Sequence, residues 1–468
     1  MNSEPAASPS PSPSPSTTSS RRRFLRSTAA LGAGLLASNA ATVRAATNKN
    51  SKLRIFQIGV NGIGNMQRKG LEGHPMVEFA GFCDVDETAF AKVDNDAYRS
   101  GWRVADYREA FADRLDQFDA VIVDTPDFHH CPMMVTALKH GKHVYGQKPL
   151  VQQLDELRLV REALAAHPGL HTQMGNQRAC TTGRMQAVEL LQSNRLGRPV
   201  EAHIWTGGMS RGMYFVDPWS PLGAEQPVPD TLDWNLWNGP LTTSLPYSED
   251  LHPRRWRSYW ETGGGMLADW GCHLIDVLYF AYDLAAPEAV QTNTMKPSDV
   301  CHTGYNQSTL TYPGGGDRFA REKFVLHYND SGIRPSFAAL GLPVSKITGS
   351  CTLILCEEGA LLLEPGGKME IYRKGKLVEN EPLPEVAPRQ HWKDWADCCL
   401  GTDKPLWTRF DIGSRITEPA LLATKATRFP GVELHWDAAN YRFTNHEEAN
   451  KTVLSRSYRE GFAPPKIG

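Results

Sequence analysis

The stretch LRIFQIGVNGIGNMQRKGLEGHPMVEFAGFCD, residues 53–84, decides the fold. Residues 55–58 are a short β-favouring apolar run. Gly59, Gly62 and Gly64 follow at once, where the chain must turn tightly and bring its backbone close to a ligand. A turn of this kind, opening a helix, aims free N–H groups at a pyrophosphate. The dinucleotide fingerprint asks for G-x-G-x-x-G; here Asn61 takes the middle place, with Gly62 and Ile63 beside it. Asparagine tolerates positive φ, so the loop is expected to keep its shape. A second strand, 77–83, ends at Asp84, about twenty residues past the glycines, where a carboxylate accepts hydrogen bonds from an adenosine ribose. That acid favours NAD over NADP, whose 2′-phosphate would meet its charge, and no arginine follows within the next several residues. Strand, glycines, helix and acid in register predict a dinucleotide site on Gly59, Asn61, Gly62, Ile63, Gly64 and Asp84.

Outward from that core, the 468 residues are 41% hydrophobic and 22% charged, enough for two or three globular domains with ample core. A formal net charge of −2 and the lack of a basic patch interleaved with aromatics argue against nucleic acid as a partner. Nine scattered cysteines, an odd number with no CxxC pair, make neither a disulfide framework nor a zinc motif, and no metal site is expected.

Residues 1–19 are a Pro/Ser-rich leader with no means of building a core. Ser20-Arg21-Arg22-Arg23-Phe24-Leu25-Arg26 then precedes a mildly apolar, small-residue run over 27–41 and a cleavage region near Val43-Arg44-Ala45-Ala46. This resembles a twin-arginine export signal and implies a periplasmic protein exported already folded. The apolar run is too short and weak for a stable membrane span. Free NAD is scarce outside the inner membrane, so a nicotinamide there is expected to be retained and recycled in place.

Beyond Asp84, helical and strand patterns alternate. The apolar run 118–123, FDAVIV, is of the kind buried in a parallel sheet, and Asp124-Thr125-Pro126-Asp127 follows it. Ligands cross the carboxyl ends of strands in doubly wound sheets, which places Thr125 and Pro126 near a cofactor. A helix over 131–140 and a strand over 143–145 lead to Gly146-Gln147-Lys148-Pro149-Leu150, with Lys148 at a strand end. Its ammonium is read as lying by the nicotinamide, polarising or protonating a sugar oxygen, although a lone lysine is more often a surface residue.

The second part of the chain changes pattern, with a helix over 183–191 and an alternating strand from 199 to 205. Residues 173–178, QMGNQR, fall on the seam, where Asn176 or Gln177 reaches the nicotinamide or merely caps a loop. The proline- and tryptophan-rich segment 218–260 suits the faces and hydroxyls of sugars, with Arg257 and Tyr259 the residues singled out. In GGGMLADWGCHLID, residues 263–276, Asp269, His273 and Asp276 are spaced four and three apart on one face of a largely apolar helix. Buried ionisable groups on one stripe need partners or a chemical task. Alternating β segments after residue 283 predict a large, mostly antiparallel sheet with an open face suited to a homodimer or homotetramer, and helices are expected over 391–399 and 417–428.

The glycine turn, CDVD, DTPDFHH, GKHVYGQKPL and GGGMLADWGCH together resemble the Gfo/Idh/MocA oxidoreductase family. The family usually carries Glu-Lys-Pro where this chain has Gln147-Lys148-Pro149. The resemblance implies His130 as a cofactor contact, and Asp269 and His273 as the D-x-x-x-H pair facing the nicotinamide. The expectation is therefore an α/β protein: a signal segment over 1–46, a Rossmann domain over 47–178, and a substrate-binding α+β domain over 179–468. Its function would be exported oxidoreduction of a sugar, sugar acid or cyclitol hydroxyl on tightly bound NAD, with NADP the lesser fit. Lys148 and His273 would handle the proton and Asp269 would orient, with Arg257, Tyr259, Asp269 and His273 binding substrate. The alternatives are a glycosidase or lyase using transient ring oxidation, and an inactive sugar-binding scaffold.

Overall fold

The computed structural model describes residues 52–208, 214, 224–253, 255–295 and 298–467. The leader with its arginine pair, and part of the 218–260 segment, lie outside them. The first sheet holds six parallel strands: β1 (Leu53–Ile58), β2 (Val77–Cys83), β3 (Trp102–Val104), β4 (Ala120–Val123), β5 (His143–Gly146) and β6 (Thr172–Met174). They run in the order β3-β2-β1-β4-β5-β6, so the winding reverses between β1 and β4. Every residue of β4 is buried, as helices on both faces require. Phe118 and Asp119 precede the strand, and Asp119 closes an ion pair with Arg54 at 2.7 Å.

Helices α1 (Ile63–Leu71), α2 (Tyr107–Asp113), α3 (His130–Lys139) and α4 (Glu156–Ala166) belong to this half, and α5 (Thr182–Gln192) leads away from it. The second sheet is built from β7 (Pro199–Trp205), β8 (Ala289–Asn293), β9 (Gln307–Pro313), β10 (Lys323–Asn329), β11 (Cys351–Cys356), β12 (Gly359–Leu363), β13 (Met369–Arg373), β14 (Lys376–Val378), β15 (Glu433–Asp437) and β16 (Arg442–Phe443). Its order is β14-β13-β12-β11-β7-β10-β9-β8-β15-β16, antiparallel throughout except where β7 meets β10. Side chains alternate cleanly in β9 and β10: Leu310, Tyr312, Leu326 and Tyr328 are buried, whereas Thr309, Thr311, Val325 and His327 are half-exposed.

Three further helices matter to the site: α6 (Trp234–Asn238), α7 (Gly265–Tyr282) and, after α8 (His391–Cys399), α9 (Phe410–Ala426). The helix α7 is buried along almost its whole length and packs against α9 and α5. Its N-terminus is anchored to the first sheet: the Gly264 N–H donates to Asp127 at 3.1 Å, and the Gln152 amide donates to the carbonyls of Trp260 and Gly263 at 2.7 and 3.1 Å. The helix α9 begins seven residues before the expected 417, because Phe410 is wholly buried against Gly146 at the end of β5. Tertiary packing there overrides weak local signals. No disulfide joins cysteines among the described residues, and none of their helices is long and apolar enough to cross a membrane.

Candidate functional site

The carboxyl ends of β1, β2 and β4 open onto a cavity of about 950 Å³. Gly59, at φ 87°, stands where a Cβ would lie 2.6 Å from the Asp124 carbonyl, and a Cβ on Gly64 would lie 2.1 Å from the Gly59 carbonyl. Only glycine lets the turn pack this closely. Positive φ falls on Gly59 and Gly62 and not on Asn61, so the asparagine keeps the loop by another route than expected: its side-chain oxygen accepts the Gly62 N–H at 2.8 Å. The helix α1 starts at Ile63 with no side-chain cap and no acid in its first turn, which leaves its amide donors for an anion.

Asp84 lines the cavity and accepts the N–H groups of Val60 and Asp86 at 2.9 and 3.1 Å. Burial raises its carboxyl above the ordinary value, against those two donors. Asp86 and His252 lie at the same end of the cavity, 3.4 Å apart. Arg257 is the one arginine or lysine among the cavity's lining residues, and it belongs to the opposite chemistry, beside Asp269. Among the described lining residues, then, no arginine or lysine stands at the Asp84 end for a ribose 2′-phosphate. The volume, the glycine turn and the acid together fit NAD.

Thr125, Pro126 and His129 line the cavity after β4. His130 does not: it is fully buried, with one ring nitrogen 2.8 Å from the Pro149 carbonyl and the other 2.9 Å from the Thr125 carbonyl. It ties the Thr125 loop to the Lys148 loop. His129, passed over in the sequence, faces the cavity and hydrogen-bonds the Trp237 carbonyl at 2.8 Å.

The roof comes from the proline- and tryptophan-rich segment. Leu232, Trp237, Tyr247, His252 and Trp256 line the cavity. Backbone bonds from Glu87 to Thr231 and from Asp233 to Val85, each 2.8 Å, fix the roof to the loop after β2. The segment thus covers the adenosine end of the dinucleotide cavity, a placement its sugar-like composition did not suggest. Arg459, far along the chain, braces the roof by donating to the Asn235 side chain and carbonyl at 2.7 and 2.9 Å. Phe462 joins the lining, and Arg108 of α2 stacks on it at 3.8 Å while donating to the Gly461 carbonyl.

Lys148, Asp269, His273 and Arg257 converge where α7 meets the end of β5. The Lys148 ammonium pairs with the Asp269 carboxylate and donates to the Asp269 carbonyl at 3.0 Å; Arg257 Nε stands 3.7 Å from the same carboxylate. Burial alone would raise the Asp269 carboxyl, but Lys148 and Arg257 hold it well below the usual carboxylate range. His273 is only 5% exposed, and its Nδ1 has no hydrogen-bond partner among the described residues. Burial, reinforced by the Lys148 charge, pushes its pKa well below the usual histidine value, so the ring is neutral. Asp127 is a site neighbour not singled out from sequence: burial raises its carboxyl to about 7, with Arg257 and Lys148 opposing. Its signal was an acid directly after a strand-end proline.

Three expected residues stand elsewhere. Tyr259 packs in the apolar cluster with Phe128, Trp237 and Trp256 and is not on the cavity lining. Gln177 lines a separate surface groove with Arg178 and His391. Asn176 donates to the Cys272 carbonyl and to Asp276, both at 2.9 Å, and Asp276 pairs with buried Arg184, so the third acid of the stripe is structural. Gln147 is turned away from the Lys148 ion pair: its amide donates to Asp124 at 3.3 Å, joined there by Gln57 at 2.8 Å.

Residues 53–173 match the GFO_IDH_MocA model, described as an oxidoreductase family with an NAD-binding Rossmann fold. Residues 182–320 match the model of an oxidoreductase-family C-terminal alpha/beta domain. Inositol 2-dehydrogenase from Rubrobacter xylanophilus is 28% identical over 158 residues, 33% of this chain and 44% of that protein. A glycosyl hydrolase family 109 protein from Saccharopolyspora erythraea is 31% identical over 160 residues, 30% of this chain and 35% of its own length. The chain thus spans less than half the length of these curated relatives. The WlbA dehydrogenase from Bordetella pertussis, solved with NADH and UDP-GlcNAcA, superposes with a TM-score of 0.57 over 83% of this chain and 98% of its own, at 15% identity. That likeness is one of fold.

Proposed function

This chain belongs to the Gfo/Idh/MocA oxidoreductases, and from that premise we propose that it oxidises or reduces a ring carbon of a sugar, sugar acid or cyclitol on a retained NAD. The observation that carries the reading is the junction of a dinucleotide cavity with a buried Lys148–Asp269–Arg257 ion cluster and a neutral His273. Bound in the cavity, NAD supplies the hydride acceptor or donor. Gly59, Gly62, Asp84, Thr125 and Pro126, which line the cavity, would hold it.

In the oxidising direction, His273 takes the substrate hydroxyl proton on its buried, unpartnered Nδ1. Lys148, kept in place by Asp269, donates a hydrogen bond to the same substrate oxygen and stabilises the charge that develops there. Arg257 keeps Asp269 anionic and joins the cluster to the cavity. The twin-arginine-like leader supports a periplasmic location, and the half-exposed face of the second sheet supports a homo-oligomer. Denaturing the purified protein and identifying released nicotinamide by absorbance and mass tests the reading. Near-stoichiometric NAD or NADH supports it; no nicotinamide, and none bound on addition, overturns it.

A second reading is favoured by the likeness to glycosyl hydrolase family 109 proteins: a glycosidase in which hydride leaves and returns within one turnover. Cleavage of aryl glycosides without added cofactor distinguishes it from net oxidoreduction.

A further inference from the structure

Outside the lining of the dinucleotide cavity, the outward face of the second sheet gathers a carboxylate and two imidazoles. Glu201 and His203 are two apart on β7 and so project from the same face. His327 on β10 is the direct cross-strand partner of His203. The two rings stack with centroids 4.7 Å apart at 21°. One ligand atom from each of the three residues lies within 4.8 Å of the others.

We propose that Glu201, His203 and His327 bind one divalent transition-metal ion of the zinc, nickel or copper class. Imidazole with carboxylate is the donor set those ions take. The His203 Nε2 to Glu201 Oε1 separation is 3.1 Å. Two ligand atoms each about 2.1 Å from one ion sit about that far apart when they subtend an angle near 95°. His327 Nδ1 lies 3.5 Å from the Thr309 hydroxyl, which leaves Nε2 to turn toward the ion. Glu201 and His327 are half-buried, whereas His203 is buried between them. Arg321 stands 3.4 Å from the other Glu201 oxygen and competes for it. None of this was visible as sequence spacing, because the ligands meet only through the pairing of two strands distant in the chain.

The test is a zinc titration of the whole, chelator-stripped protein with its thiols alkylated, with cobalt as the spectroscopic probe. One equivalent of zinc is expected, with cobalt giving visible d–d bands of a low-coordinate nitrogen and oxygen site. His203→Ala and His327→Ala are expected to weaken binding by at least about tenfold, Glu201→Gln by less, while nicotinamide content is unchanged. Arg321→Ala is expected to tighten binding. Zinc binding that survives the double histidine variant, or no binding by the parent protein, overturns the proposal.

Discussion

In the proposed reaction, proton transfer depends on the protonation state of His273. His273→Gln is expected to lower kcat by about 10²–10⁴ while leaving nicotinamide content unchanged, measured by steady-state kinetics beside cofactor release. Its pKa is depressed, so the protonated, inactive ring forms only below that lowered value. The kcat/KM profile for alcohol oxidation is therefore expected to stay flat through pH 6.5 and to fall only in more acid solution; a limb centred at 6.5 or above would remove His273 from the role. Gln147→Glu makes a second test. The new carboxyl would stand against Asp124, whose own carboxyl burial raises to about 7. A folded-state pKa raised in this way means stability lost as pH rises, so the variant's melting temperature is expected to drop more at pH 8 than at pH 6. At this scale the sequence was legible where residues share a helical face: Asp269 and His273, four apart, both reach the site. It was not legible for His129 and His130, adjacent at a helix start, whose side chains point about 100° apart. Arg257 and Tyr259 were equally opaque, because the short 3₁₀ segment Arg255–Ser258 sends one to the cavity and leaves the other in the apolar cluster.

At the scale of elements, the glycine turn and α7 carry the site. Gly64→Ala places a methyl 2.1 Å from the Gly59 carbonyl, and the turn must open. Loss of bound nicotinamide, with the second sheet intact by circular dichroism, is the expected result. In α7 the Asp276–Arg184 pair is buried at both ends, and Asp276→Asn leaves the guanidinium without its counter-charge. A loss of about 3–5 kcal/mol in chemical denaturation is expected, as for breaking a buried pair from one side. Strands were readable from alternation or from unbroken apolar runs, as in β10 and β4. The start of α9 was not, since only the seat of Phe410 beneath β5 shows why the helix begins there.

At the scale of the molecule, the carboxyl ends of the first sheet carry both the cavity, roofed by residues 229–257, and the ion cluster, to which α7 adds Asp269. The roof over that cavity is braced by residues 459–462, which grip Asn235 on one side and Arg108 on the other. Arg459→Ala combined with Phe462→Ala is expected to raise the nicotinamide off-rate by an order of magnitude or more, read by loss of cofactor during gel filtration, with little change in melting temperature once NAD is in excess. The brace also fixes an order of assembly. Its residues are synthesised long after the glycine turn and the roof, so of the described lining residues Phe462 is the last to be made.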